Sequence, residues 1–193
     1  MADFGTAAAA FRQLGAERDL AVALGDIADV HFQRGEYDEA LRIRREEMLP
    51  VFERLGDQLS RAVTWGAIAD VHFQRGDYDE ALRIRREEEL PVYERLGDQR
   101  ARAVTWSKIA DVHFQRGDYD EALRIRREEA LPDFERLGDQ RSRAVTWGAI
   151  ADVHFQRGEH AEALRIRREE ELPVFERLGD QLSRAVTWGK IAD

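Results

Sequence analysis

A block of 41 residues recurs almost unchanged down this chain, and that period constrains the fold more than any single residue does. Phe-Gln-Arg-Gly closes at Gly35, Gly76, Gly117 and Gly158, and tryptophans stand at Trp65, Trp106, Trp147 and Trp188. Between residues 57–97 and 98–138 only seven positions differ. Repetition on this scale builds a stacked array in which each unit contacts its neighbours. A catalytic centre needs different groups converging on one point. A chain that repeats each group at a fixed interval makes a scaffold or an extended binding surface instead, so no enzyme is expected.

Within each block the punctuation is glycine followed by an acid. Gly56 precedes Asp57 and Gly76 precedes Asp77. Glycine past a helix end tolerates the left-handed conformation, and aspartate accepts hydrogen bonds from the first free N–H groups of the next helix. Glu80, three residues after Asp77, has the spacing of a capping box. One block therefore predicts two helices, roughly 58–75 and 77–96, joined by turns short enough to make them antiparallel neighbours. Trp65, Ile68, Ala69 and His72 follow the i, i+3, i+4, i+7 pattern of one buried face. Tyr78, Ala81, Leu82, Tyr93 and Leu96 share a side of the second helix. Pro91 interrupts that helix by removing a donor and crowding the carbonyl of Glu87. The outcomes open to it are a bent continuous helix or two short ones, repeated at Pro50, Pro132 and Pro173.

Phe11 and Leu14 align with Phe52 and Leu55, so the chain opens in the tail of a second helix and closes inside a first helix. The expected organisation is a partial second helix over 1–15, repeats at 16–56, 57–97, 98–138 and 139–179, and a truncated first helix over 180–193. Composition agrees with a helical array. Apolar residues make up 43% and charged residues 36%, and the 14 glycines and four prolines recur with the repeat. A net charge of −9 disfavours a general nucleic-acid binder, which needs a basic footprint. There is no cysteine, hence no disulfide and no thiolate chemistry. No apolar run is long enough to span a membrane, and the first residues lack a basic segment and signal core, so a cytoplasmic protein is expected.

The first-helix pattern Trp65-x-x-Ile68-Ala69-x-x-His72 and the turn Gly76-Asp77-Tyr78-Asp79-Glu80-Ala81 resemble the tetratricopeptide repeat. The 41-residue period makes the chain similar to the longer repeats of kinesin light chains and to arrays attached to bacterial signalling ATPases. The resemblance implies an all-α, right-handed superhelical solenoid of antiparallel helix pairs, four full repeats with a partial helix at each end, and a role in binding protein or peptide. It also implies that the first helices line a concave groove. Mapped residue by residue, the groove positions are Val63, Gly66, Asp70, Phe73 and Gln74, then Val104, Ser107, Asp111, Phe114 and Gln115, then Val145, Gly148, Asp152, Phe155 and Gln156. Relatives that clamp a C-terminal carboxylate carry Asn where Asp70 stands, so a basic or partly apolar extended segment is the better fit. Two residues depart from the family. His72 replaces a tyrosine, and Arg85, with Arg44, Arg126 and Arg167, replaces an aromatic. An arginine on an apolar face needs a partner. The nearby Glu47, Glu88, Glu129 and Glu170 suggest an Arg–Glu ladder between neighbouring second helices, unless both side chains reach solvent.

Other candidates read more plainly. His31, His72, His113 and His154 occur once per repeat and cannot converge on one metal, so hydrogen-bonded core histidines and no metal or cofactor are expected. Glu87-Glu88-Glu89 and Glu169-Glu170-Glu171 share their helices with arginines and read as a solvated, internally paired face. At the chain ends, Val186, Trp188 and Ile191 lack a covering second helix, and the start supplies such a tail with Phe11 and Leu14. Head-to-tail self-association follows as an expectation. The alternative to a ligand-binding role is a purely structural array, recently amplified or designed, that assembles end to end.

Overall fold

The computed structural model describes residues 16–192. Every regular element in that range is helical: α1 (Glu17–Gln33), α2 (37–55), α3 (Gln58–Arg75), α4 (78–96), α5 (Gln99–Arg116), α6 (119–136), α7 (Gln140–Gln156), α8 (160–178) and α9 (Gln181–Ala192). Odd-numbered helices are the first of each repeat and even-numbered helices the second. Two compact units divide the chain at Leu96 and Gly97. Phe11 and Leu14 lie outside the described residues. No helix among the described residues is long and apolar enough to cross a membrane.

The punctuation works largely as the residue types dictate. Gly76 takes a left-handed φ of 79° after α3, which lets the Asp77 N–H turn back onto the His72 carbonyl at 2.8 Å. Asp57 accepts from the Ser60 N–H at 3.0 Å, and Asp98, Asp139 and Asp180 cap the later first helices in the same way. The second helices differ from expectation. Asp77 makes no side-chain cap, and Glu80 binds Arg83 at 2.8 Å rather than closing a capping box. Asp77 faces the His72 ring instead, at 3.3 Å.

Proline is accommodated by a π turn. Helix α4 runs as α over Tyr78–Ile84, π over Arg85–Glu89 and α again over Leu90–Leu96, and α2, α6 and α8 repeat the pattern. Backbone angles stay helical through the junctions, at −63° and −38° for Arg85 and −54° and −48° for Leu90. Widening the turn by one residue keeps the helix continuous past a residue that cannot donate. The same widening turns both Arg85 and Glu89 inward. The reading of a wholly solvated glutamate run is thereby corrected: Glu87 is exposed, but Glu89 and Glu171 are buried.

In the first unit Ala40, Leu41, Leu49, Ile68, Ala69, Val71 and Ile84 form a buried cluster with Trp65 against it. In the second, Ala122, Leu123, Ile150, Ala151, Val153 and Ile166 make the corresponding cluster with Trp147. Alanines at 0% exposure set the close approach of paired helices. His72 and His154 are hydrogen-bonded at both ring nitrogens. Arg45 donates to His72 Nε2 at 2.9 Å, which leaves Nδ1 to donate to Asp77. Arg127 and Glu159 hold His154 in the same way.

The caps carry a pH dependence. The Ser60 N–H donating to Asp57 holds that carboxyl below the usual carboxylate range, and Ser183 does the same for Asp180. A depressed folded-state value contributes stability that is present above the unfolded value near 3.9 and lost as pH falls through the folded one. Asp57→Ala should cost about 1 kcal/mol at neutral pH in urea unfolding and should flatten the acid limb of the stability profile. An acid limb unchanged by the substitution would show that the cap is not its source.

Candidate functional site

The predicted groove residues lie on the first helices, and each unit presents its own set. In the first unit Val63 and Gln74 of α3 are exposed, Asp70 and Phe73 partly exposed and Gly66 buried. In the second, Val104, Asp111 and Gln115 of α5 and Val145, Phe155 and Gln156 of α7 are exposed, Ser107, Phe114 and Asp152 partly exposed and Gly148 buried. The phenylalanines are tied to the turns. Phe73 packs on Tyr78 with ring centroids 5.8 Å apart, Phe114 on Tyr119 at 5.7 Å, and Phe155 edge-on to His160 at 4.9 Å.

Behind each aspartate stands a buried arginine. Arg85 donates to Asp70 at 2.5 Å and Arg126 to Asp111 at 2.5 Å, while Arg44 and Arg167 bind Asp29 and Asp152. The expected Arg–Glu ladder between second helices is therefore replaced by a pair inside each repeat, closed across the helical hairpin. The outer glutamates find other arginines: Glu88 takes Arg61 at 2.5 Å and Glu170 takes Arg143 at 3.0 Å. In the second unit Asp152 also receives Lys190 of α9 at 2.9 and 2.8 Å through its two oxygens. Asp152 thus holds a buried guanidinium on its inner side and an ammonium on its outer side.

The family model for the tetratricopeptide repeat matches residues 19–87, 60–126 and 101–170. The chain belongs to the tetratricopeptide repeat family. No curated protein is a match by sequence. Solved structures share the fold at low identity. BtubC (BKLC) from P. vanneervenii is 18% identical, with a TM-score of 0.71 over 99% of this chain and 87% of that one. A putative kinesin light chain from Podosopora anserina with nearly identical TPR-like repeats is 17% identical, with a TM-score of 0.67 over 88% of this chain and 82% of that one. A signal-transduction ATPase with a tetratricopeptide repeat sensor from Pyrococcus horikoshii is 17% identical, with a TM-score of 0.75 over 90% of this chain and 26% of that one.

As tetratricopeptide repeats, the four copies are less uniform than their sequences suggest. Glu89 in the second copy and Glu171 in the fourth lie buried under a glycine of the first helix. A Cβ built on Gly66 would meet Glu89 Oε1 at 2.7 Å, and one on Gly148 would meet Glu171 Oε1 at 2.6 Å. In the third copy the two positions change together, to Ser107 and Ala130. In the first copy Gly25 faces Met48, with a built Cβ 3.1 Å from its Cε. A long side chain on the second helix goes with glycine on the first, and the one copy with a side chain at the glycine position has alanine opposite. The third copy also carries Asp133 where Val92 and Val174 stand. Asp133 is fully buried and bound by Arg102 at 2.8 and 2.7 Å, with Arg136 as a second partner.

Among the described residues no group of three or more His, Asp or Glu is placed to hold a metal ion. A cavity of about 230 Å³ lies between the third and fourth copies, lined by Val104, Ser107, Arg126 and Phe134 of the third and by Val145 and Thr146 of the fourth among others.

Proposed function

We propose that the array is a protein–protein interaction module whose first-helix face holds an extended segment, basic or partly apolar, with no chemistry of its own. The observation that carries this reading is Lys190 on Asp152. It supports a groove aspartate accepting a cationic side chain while still holding its buried arginine. The two outer acceptors with alanine at the Lys190 position of the following repeat are Asp29 and Asp111, whose neighbours are Ala67 and Ala149. Asp111 is 52% exposed, against 35% for Asp152 under its lysine. Exposed Val104 and Val145 add apolar surface for alternate side chains of a bound peptide.

Ala149→Lys tests this without touching the core, because it copies what the chain already does at residue 190. Lysine-rich peptides followed by fluorescence anisotropy should bind this variant roughly fivefold more weakly than the parent, an effect of about 1 kcal/mol for an exposed charge pair. High salt should narrow the gap. Equal binding of basic and acidic peptides would reject the reading.

A second reading, end-to-end assembly, draws on α9, which exposes Leu182, Val186 and Trp188 while Ile191 is half-buried. A mass in light scattering that does not rise with concentration would discard it.

A further inference from the structure

We propose that Glu171 is a protonation-controlled clasp for α9: as the neutral acid it holds that helix on α8, and as the carboxylate it releases it.

Helix α9 is held by few groups. It packs on α8, but Leu182, Val186 and Trp188 are 77%, 52% and 51% exposed, and Thr187 is its one buried residue. Thr187 meets Glu171 of the α8 π turn, and Lys190 reaches Asp152 of α7.

The hydrogens at Thr187 decide which form of Glu171 fits. Thr187 Oγ1 stands 2.9 Å from the Ser183 carbonyl and 2.9 Å from Glu171 Oε1. A hydroxyl has one hydrogen to give and two lone pairs to offer. The equivalent threonines give theirs along the helix, Thr64 to the Ser60 carbonyl at 2.8 Å and Thr146 to the Ser142 carbonyl at 2.9 Å. With the Thr187 hydrogen on Ser183 in the same way, the contact to Glu171 has a hydrogen only when Glu171 carries it. A carboxylate there sets two acceptors against each other, or draws the hydrogen off Ser183.

Nothing on the other oxygen compensates a charge. Glu171 Oε2 is buried and has no hydrogen-bond partner among the described residues. Arg167, one turn back on α8, is bound to Asp152 and leaves Nε and Nη1 without an acceptor, yet does not pair with Glu171. The second repeat differs, since Arg85 Nη1 donates to Glu89 at 3.0 Å. The charged groups facing Glu171 are Arg167 on α8, Lys190 on α9 and Asp152 on α7. Both cations are bound to that one aspartate, whose own charge opposes a second. Burial raises the Glu171 carboxyl above the usual range by more than Thr187 and the cations lower it.

A carboxyl raised in the docked state keeps its hydrogen there at a pH where water would take it. This contribution to docking is full below the ordinary glutamate value of about 4.3 and is lost as pH rises through the raised one. The Asp180 cap of α9 has the opposite sign, but the Ser183 N–H holds its carboxyl low, so it stays charged into more acid solution. Lys190 moves with α9, so release also uncovers Asp152. That consequence rests on the first-helix face being the binding surface, whereas the clasp is defined without a ligand.

NMR of the whole chain tests the clasp. With glutamate carboxyls labelled with carbon-13, the signal that disappears in Glu171→Gln should titrate above those of the exposed glutamates. Amide-exchange protection over residues 186–191 should rise roughly threefold or more from about pH 8 to about pH 5, and on the order of tenfold for each unit by which docking raises the carboxyl. Glu171→Gln is uncharged throughout, so its protection should not change over that range, and histidine protonation elsewhere is common to both chains. Should that variant lose its helical circular dichroism, Thr187→Val replaces it. Removing the acceptor of the acid hydrogen should lower protection more at the acid end, whereas lost packing alone would lower it equally at both. A Glu171 signal that titrates with the exposed glutamates would overturn the clasp, and so would an equal pH response in Glu171→Gln. Parent protection that stays level or falls on acidification would overturn it too, and a level profile is what Arg167 closing on the carboxylate, as Arg85 does on Glu89, would give.

Discussion

Asp111→Ala is expected to destabilise the chain by about 2–3 kcal/mol, while Arg126→Met at the other end of the same ion pair should change stability by less than about 1 kcal/mol. The asymmetry follows from burial. Arg126 is 3% exposed and Asp111 is 52% exposed. Burial already pushes the Arg126 guanidinium down from its ordinary value, so the charge is held inside at a cost that Asp111 offsets. Removing the aspartate leaves that charge without its acceptor. Removing the arginine leaves an aspartate that water can solvate, and methionine keeps most of the stem packing. The cost of Asp111→Ala stays below the roughly 3–5 kcal/mol of a fully buried pair because solvent already screens the aspartate. Asp70→Ala should cost less, since Arg85 retains Glu89 at 3.0 Å. The double variant Asp111→Ala with Arg126→Met should recover most of the loss. Urea midpoints for the four chains decide the matter, and equal costs for the two single substitutions would show that the pair is not held together by burial of the arginine.

Which parts of this arrangement were legible in the sequence depends on how far apart the interacting residues lie. Helix pairs, their Gly-Asp turns and the Ile68–Ala69 face are local in sequence, and the structure has them where the residues put them. Of the two Arg85 partners, Glu89 is one helical turn away and Asp70 is not. Glu88 sits one helical turn away and looks like the natural acceptor, whereas Asp70 is 15 residues back and comes near only when the hairpin closes. The consequence of Pro91 was also half visible. Its missing donor marks a defect in α4, but nothing in the residue types says that the defect becomes a π turn, or that the turn swings Glu89 into the core. The aspartate at residue 133 had one local partner, Arg136, but its other, Arg102, reaches it from the preceding first helix. The groove positions came from family resemblance, and the Asp–Arg pairs behind them from geometry alone.

Gly148→Ser is expected to cost about 1–3 kcal/mol, and the cost should vanish when Glu171→Ala is added. The reason lies in one contact. A side-chain carbon at residue 148 would stand 2.6 Å from Glu171 Oε1 and 2.8 Å from its Cδ, closer than packed atoms come. The glutamate has little freedom to retreat. Thr187 holds Oε1 at 2.9 Å, the residue is buried, and burial has already raised its carboxyl above the usual range. Overpacking therefore falls on a residue that is itself poorly solvated. Shortening it to alanine removes both problems, and the chain contains that solution already as Ser107 with Ala130. Glu171→Ala alone should open a cavity beside Arg167, whose pair with Asp152 remains. The double-mutant cycle should then give a coupling of about 1–2 kcal/mol in favour of the Ser–Ala and Gly–Glu combinations over the mixed ones. Additive costs would mean that the two positions vary together by descent from a common copy rather than by contact. A positive coupling would mean that Ser107 with Ala130 is a compensated exchange of the Gly–Glu pair, made by contact between the two helices.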